Sequence, residues 1–287
     1  MATALAQRLL ALLSALLAHV VAPLADAQPA TDPRPAVSFA GCGFLYPYQL
    51  GVAAHLAAHY DLSQLRCAGH SAGFAAALTL AAGVPPSAHW AVLQVAQARW
   101  AARLCGPFLD STRAWMAPYL AALQACEAAI AEAGAAGRLC LGYSRLEFGP
   151  RWRLRGGHAT TAAFPTLRAF VYAVTLSQRC PPFYTRPGYL AGGWGLDGAL
   201  TAAFTLPPGC AAARCVTVSP TNTSADVCPA TPLPLAWFFT PPDAARWALL
   251  LEMGARDAAA ARATLVGKGL VPLGRGVRVA SPRRRRG

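Results

Sequence analysis

Apolar residues gather in short runs separated by glycine turns and by longer stretches of helical period. Residues 36–40 form a short apolar run after Pro29, Pro33 and Pro35, the pattern of a strand buried in a parallel sheet. Over 48–60, Leu50, Ala54 and Ala57 recur at helical spacing. Residues 65–68 predict a second strand, met at once by Gly69. Residues 72–82 predict a second helix, closed by Gly83 and then Pro85-Pro86. Strand, glycine turn and helix, taken twice, make a βαβα unit.

Further along, 87–104 and 113–133 predict two more helices. Residues 138–147 and 151–155 predict a hairpin around Phe148-Gly149-Pro150, with Trp152 and Leu154 alternating with arginines as on a half-exposed strand. The segment 166–176 fits a helix or a strand. Residues 190–196 approach Asp197-Gly198 through glycine steps, and 215–218 predict a brief strand. A helix is predicted over 241–266, with Pro242-Asp243 at its start and Trp247, Leu250, Leu251 and Leu265 on one stripe. No internal repeat and no second domain boundary appear, so 36–272 reads as one α/β domain. It is preceded by a linker at 28–35 and followed by a basic tail at 273–287.

The first 27 residues differ from the rest. Arg8 precedes an apolar run over 9–24, and Ala25-Asp26-Ala27 follows. One positive charge, an apolar core and a small-x-small site predict a secretory signal peptide or a membrane anchor. The run is short for a span, and His19 interrupts it. An organelle transit peptide is a rival, since it too is poor in acids.

Apolar residues make up 55% of the 287, enough for a sizeable core. The net charge of +13 is carried by arginine, because Lys268 is the only lysine. That bias fits either a general composition also rich in alanine or attraction to an anionic surface. No basic segment interleaved with aromatics appears, so no nucleic-acid partner is indicated. Arg283 to Arg286 read as a solvated tail able to touch acidic lipid. The nine cysteines include no C-x-x-C pair, which argues against zinc, and their odd count leaves at least one thiol unpaired in a monomer. They read equally well as buried small apolar residues. Asn222-Thr223-Ser224 is a glycan acceptor only if the domain reaches a lumen.

Three short stretches carry candidate chemistry. Gly69-His70-Ser71-Ala72-Gly73, between a strand and a helix, has the pattern of a nucleophile elbow. Small flanking residues let the turn tighten and lift the serine Oγ to the sheet edge, at a helix N-terminus. A Ser, Asp, His order fails, because only His89 and His158 follow Ser71 and no histidine follows Asp197. His70 is too close in the turn to serve Oγ and reads as a neighbour lining the cleft. Asp197-Gly198-Ala199 offers a carboxylate base at a strand end, or an ordinary Asp-Gly turn. Gly41-Cys42-Gly43 offers backbone N–H groups to an oxyanion, or to a phosphate.

Together these stretches resemble the patatin-like phospholipase family. "SFAGCGFL" with "GVAAHL", "GHSAG", "TVSPTNTSADVCP" and "PPDAARWALLLEMGARDAAAARATL" resemble its adipose triglyceride lipase-like branch over about 37–272. The resemblance implies a patatin-like three-layer α/β fold, with a central, mostly parallel sheet flanked by helices. It implies Ser71 as nucleophile, Asp197 as base, and an oxyanion hole from the amides of Gly41, Cys42, Gly43 and Phe44. Gly69, Gly73 and Gly198 are implied as supports of the motifs. The implied reaction is hydrolysis of carboxylic esters in acylglycerols or phospholipids through an acyl-serine, with no cofactor and no metal. The implied partners are a lipid substrate at a membrane or lipid-droplet surface and a protein coactivator.

Two departures stand out. Tyr46 takes the last glycine of the family's G-x-G-x-x-G turn, and "LTAAFTLP" follows where the branch carries Asn-Leu-Pro. A positive φ at 46 would strain the turn by about 1–3 kcal/mol. The alternative is therefore a protein of the same fold that binds a lipid surface with weakened catalysis. Trp237, Phe238 and Phe239 fit core packing or insertion into lipid.

Overall fold

The computed structural model describes residues 31–101, 112–147, 153–160, 164–180, 188–190 and 193–273. The predicted leader at 1–27, the hairpin turn Phe148-Gly149-Pro150 and the arginines Arg283 to Arg286 lie outside the described residues. The strands are β1 (Ala36–Phe39), β2 (Arg66–His70), β3 (Leu139–Glu147), β4 (Arg153–Thr160), β5 (Gly188–Leu190), β6 (Gly193–Asp197) and β7 (Cys215–Val218). The described helices are α1 (Tyr46–His59), α2 (Phe74–Ala82), α3 (Pro86–Ala101), α4 (Thr112–Gln124), α5 (Glu127–Ala135), α6 (Leu167–Ser177), α7 (Leu235–Phe239), α8 (Ala244–Ala260) and α9 (Arg262–Gly267).

All seven strands join one mixed sheet. β7, β1, β2 and β3 run parallel, in keeping with the crossovers that the glycine turns predict. β4 and β6 pair antiparallel with β3, and β5 antiparallel with β6. A strand has two hydrogen-bonding edges. β4 covers one edge of β3 from Cys140 to Glu147, so β2 and β6 must share the other. β2 takes Leu139 to Gly142 and β6 takes Tyr143 to Leu146. The two therefore arrive from opposite directions and end against consecutive residues, His70 opposite Gly142 and Asp197 opposite Tyr143.

Period-two alternation separates the faces. Val37, Phe39, Leu139, Leu141, Val216 and Val218 join the main core, to which each described helix contributes. The opposite face carries Ala36, Ser38 and Gly142 and meets the segment 199–214. Ser38 donates to the Thr205 carbonyl at 2.8 Å, and Ala36 packs with Leu206, Cys210 and Cys215. That face is thus covered by an irregular segment, where helices on both faces were expected.

Element ends follow local chemistry. Thr166 caps α6 by accepting from the Ala169 N–H at 3.1 Å, which resolves the ambiguous segment as a helix. Asp243 caps α8 by accepting from the Arg246 N–H at 2.8 Å. Gly83 closes α2 in the left-handed region. The helix predicted over 113–133 breaks at Cys126, whose N–H turns back to the Leu123 carbonyl. The one predicted over 241–266 breaks at Ala261. β4 runs to Thr160, past Gly156-Gly157, because it pairs with β3 throughout. The described part of the predicted linker is tied down, with the Thr31 and Asp32 amides both donating to the Gly209 carbonyl.

α1 and α8 cross at two glycines. A Cβ on Gly51 would collide with the Leu251 carbonyl, and one on Gly254 with the Tyr48 carbonyl. Backbone cannot yield as a flexible side chain does, so Gly254→Ala is expected to lower unfolding stability by about 1–3 kcal/mol. Urea titration checks this.

Candidate functional site

β2 stays extended through His70 and then turns sharply. Ser71 has φ +53°, the only positive φ at a non-glycine among the described residues. Such a conformation stores roughly 1–3 kcal/mol. The flanking glycines let the turn fold this tightly. A Cβ on Gly69 would come within 3.0 Å of the Gly73 carbonyl and of Phe74 Cα, and one on Gly73 would strike the Ala40 and Phe39 carbonyls. The turn passes through Ser71–Gly73 into α2, a helix buried along its whole length.

Asp197 ends β6 and is buried. Its backbone is pinned, the carbonyl accepting from Ser144 Oγ at 2.6 Å and the N–H donating to the Arg179 carbonyl at 3.2 Å. Its Oδ1 accepts from the Ala199 N–H at 2.9 Å. The Ser71 side chain stands near enough to the carboxylate to lower its pKa. Burial pushes this carboxyl up to about 6, and the nearby Ser71 side chain and the Ala199 N–H hold it from rising further. Gly198 is required here, since a Cβ would sit 2.6 Å from His70 Cβ and 2.9 Å from the Gly142 carbonyl.

The third stretch lies across from these two. Gly41 is wedged in, and a Cβ there would meet Ala199 Cβ at 3.0 Å, the His70 ring at 3.1 Å and Ser71 Cβ at 3.2 Å. Its N–H donates to His70 Nε2 at 2.9 Å. His70 Nδ1 then carries the proton and donates to Thr205 Oγ1 at 2.9 Å. His70 is thus a buried strut between the two loops. Gly43 has φ +52°, and a Cβ on it would lie 2.5 Å from the Phe238 carbonyl. Cys42 and Phe44 are buried beside it. The Cys42 thiol donates to Gln49 Oε1 at 3.3 Å, and burial and the nearby Asp197 charge push its pKa up. Gln49 Nε2 donates in turn to the carbonyls of Ala40 and Val218. Sequence reasoning missed Gln49 and Thr205 as supports. The one signal for Gln49 was an amide inside the apolar stretch Tyr48 to Val52.

Tyr46 sits in ordinary right-handed helical backbone, φ −58° and ψ −22°. The strain that a positive φ would impose is absent, because the turn places its positive φ at Gly43. Tyr46 is buried, edge-on to Trp247 with ring centroids 5.5 Å apart. His89 is buried against Thr79, and burial lowers it to about 4. His158 faces Gly142 in the β3–β4 ladder. Trp237, Phe238 and Phe239 form part of α7 and are half-buried, with Arg246 stacked 5.6 Å over Trp237. Among the described residues no group of three or more His, Cys, Asp or Glu side chains gathers to hold a metal ion. Among them, too, no helix is long and apolar enough to cross a membrane.

Comparison with known proteins finds no family model that matches this chain and no curated protein that matches it.

Asp197 opposes folding once charged. Its folded pKa lies above the unfolded value of 3.8. The stability linked to its proton is therefore complete below pH 4 and is lost as pH rises through about 6. The loss amounts to about 3 kcal/mol. Asp197→Asn keeps an acceptor for the Ala199 N–H and removes the charge. It is expected to be more stable than wild type by up to that amount at pH 8, with the gain vanishing near pH 4. Denaturant titrations at the two pH values check this.

Proposed function

We propose that the chain is a lipid acyl hydrolase of patatin-like fold, cleaving carboxylic esters of acylglycerols or phospholipids with a Ser71–Asp197 dyad. The observation that carries this reading is the juxtaposition of a serine held at positive φ with a buried carboxyl that burial raises to about 6 and the Ser71 side chain draws back down. Asp197 accepts the Ser71 proton as Oγ attacks the ester carbonyl carbon. The tetrahedral oxyanion is met by amides of the glycine turn. Since the Gly41 N–H is engaged by His70, Cys42 and Gly43 supply those donors. Asp197 returns the proton to the departing alkoxide, and water then releases the acid from the acyl-serine by the same route. The α2 N-terminus adds a positive partial charge at the reacting centre.

The lipid-surface side of the proposal draws on α7. Its Phe238 packs on the glycine turn, while Leu235, three residues away, is 52% exposed. An apolar side chain facing solvent on the helix that packs against the glycine turn suits a substrate presented at a membrane or droplet surface. A protein coactivator would fit the same surface.

A fluorophosphonate probe is expected to label Ser71, and Ser71→Ala to abolish both labelling and turnover of emulsified triacylglycerol and phospholipid. Turnover should rise with pH along a single ionisation near 6. Full activity in Ser71→Ala would overturn the proposal.

The alternative of a catalytically weakened binder rested on Tyr46, which is unstrained. Tyr46→Gly is therefore expected to leave the rate within about threefold while costing about 3 kcal/mol or more of stability through the lost contact with Trp247. Parallel rate and melting measurements test this. A gain of about a hundredfold in rate, the scale of one restored oxyanion donor, would instead favour the weakened binder.

A further inference from the structure

Far from Ser71, where β1 and β7 begin, two cysteines meet in a cluster of their own. Cys210 and Cys215 are buried with Ala36 and Leu206, apart from the main core. The Cys210 thiol donates to the Ala211 carbonyl at 3.5 Å and the Cys215 thiol to the Val216 carbonyl at 3.8 Å, and the titration of each thiol depends on the other. The backbone frame around them is fixed on both sides, with Cys210 bridged to Asp32 and Cys215 in register with Ala36. A tight turn, Ala212–Arg214, joins them and is exposed. Two guanidiniums flank the pair. Arg66 donates to the Pro208 carbonyl at 2.9 Å, and Arg214 ends the turn. The neighbouring Cys215 thiol, with these charges, draws the Cys210 thiol towards the thiolate, against burial and the opposing charge of Asp32. Cys215 is pushed the other way by its partner and by burial. The candidate catalytic machinery uses neither residue.

We propose that Cys210 and Cys215 form a dithiol site that closes to an intrachain disulfide on reaction with hydrogen peroxide. The Cys210 thiolate attacks the peroxide oxygen and becomes a sulfenic acid, and the leaving hydroxide takes up a proton as water. The Cys215 sulfur then displaces the sulfenic hydroxyl. The S–S bond forms, the Cys215 proton joins that hydroxyl, and a second water leaves. Two thiols are oxidised and one peroxide is reduced to two waters. Cys210, the more acidic of the two and next to an exposed turn, is the attacking sulfur. The product closes a short loop at the end of the sheet remote from the Gly41 turn, so it braces the fold without reaching the reacting centre. The inference does not rest on the proposed hydrolase activity. The same pair would also record whether the chain has passed through an oxidising compartment.

The full chain is titrated with hydrogen peroxide, blocked with N-ethylmaleimide and digested with trypsin. Cleavage after Arg214 separates the two cysteines, so the disulfide is read as a linked pair of peptides that reduction abolishes, with fragmentation assigning the link to Cys210 and Cys215 and not to Cys180 or Cys228, which those peptides also carry. The link is expected at lower peroxide than loss of alkylation at Cys42, Cys67 or Cys140, with a rise of about 5 °C in Tm that dithiothreitol reverses. In Cys215→Ser the link should vanish and dimedone should trap a sulfenic acid at Cys210. If that variant does not fold, the wild-type peptide map decides alone. Cys210 and Cys215 both remaining alkylatable while other thiols oxidise, or linking to other cysteines first, overturns the proposal.

Discussion

Everything at the candidate site depends on how β3 shares one edge between two strands. β4 fills the other edge along almost all of β3. β2 and β6 are therefore confined to the remaining one, where they meet end to end at Gly142 and Tyr143. The residues at or just past those ends are Ser71 and Asp197. Neither could be reached from the other along the chain, and neither strand alone would bring its side chain to the middle of a sheet. A parallel strand and an antiparallel strand that converge on one point solve both problems.

The junction concentrates unfavourable terms. Ser71 is held at positive φ and Asp197 is buried as an acid. Small residues and buried polar struts offset them. Gly41, Gly69, Gly73 and Gly198 allow backbone to approach where any Cβ would meet atoms within about 3 Å. His70 ties the Gly41 amide to Thr205, and Gln49 ties β1, β7 and Cys42 together. These polar groups are satisfied within the fold, so their burial carries little penalty and holds the loops in one arrangement. The strain is local, and the largely apolar α1, α2 and β1 around it supply the hydrophobic stability that sustains it.

How much of this was legible in the amino-acid sequence depends on how local each cause is. The parallel half was readable, because glycine turns and apolar runs are short-range signals. So was the candidacy of Ser71 and Asp197, from residue type and from their place at strand ends. Of the antiparallel half the β3–β4 hairpin was readable too, but the docking of β6 on the edge that β3 shares with β2 was not, since that pairing is long-range and no window of sequence contains it. The break at Cys126 lacks a proline or glycine to announce it. Tyr46 was misjudged for a related reason. A glycine-rich turn shows that some residue needs a positive φ, and the packing of Phe238 decides that it is Gly43. The engagement of Gly41 by His70 needed the ring's position across the turn, which spacing alone does not encode.

The meeting of β2 and β6 has a mechanical consequence. No ladder pairs these two strands with each other among the described residues, so β3 acts as the splint across a gap in the sheet. Serine and carboxylate stand on opposite banks of that gap. A slight change in the twist of β3 alters their separation without breaking a single backbone bond within either half. The seam thus falls at the one place where proton transfer needs a short distance, with no backbone ladder between β2 and β6 to fix it.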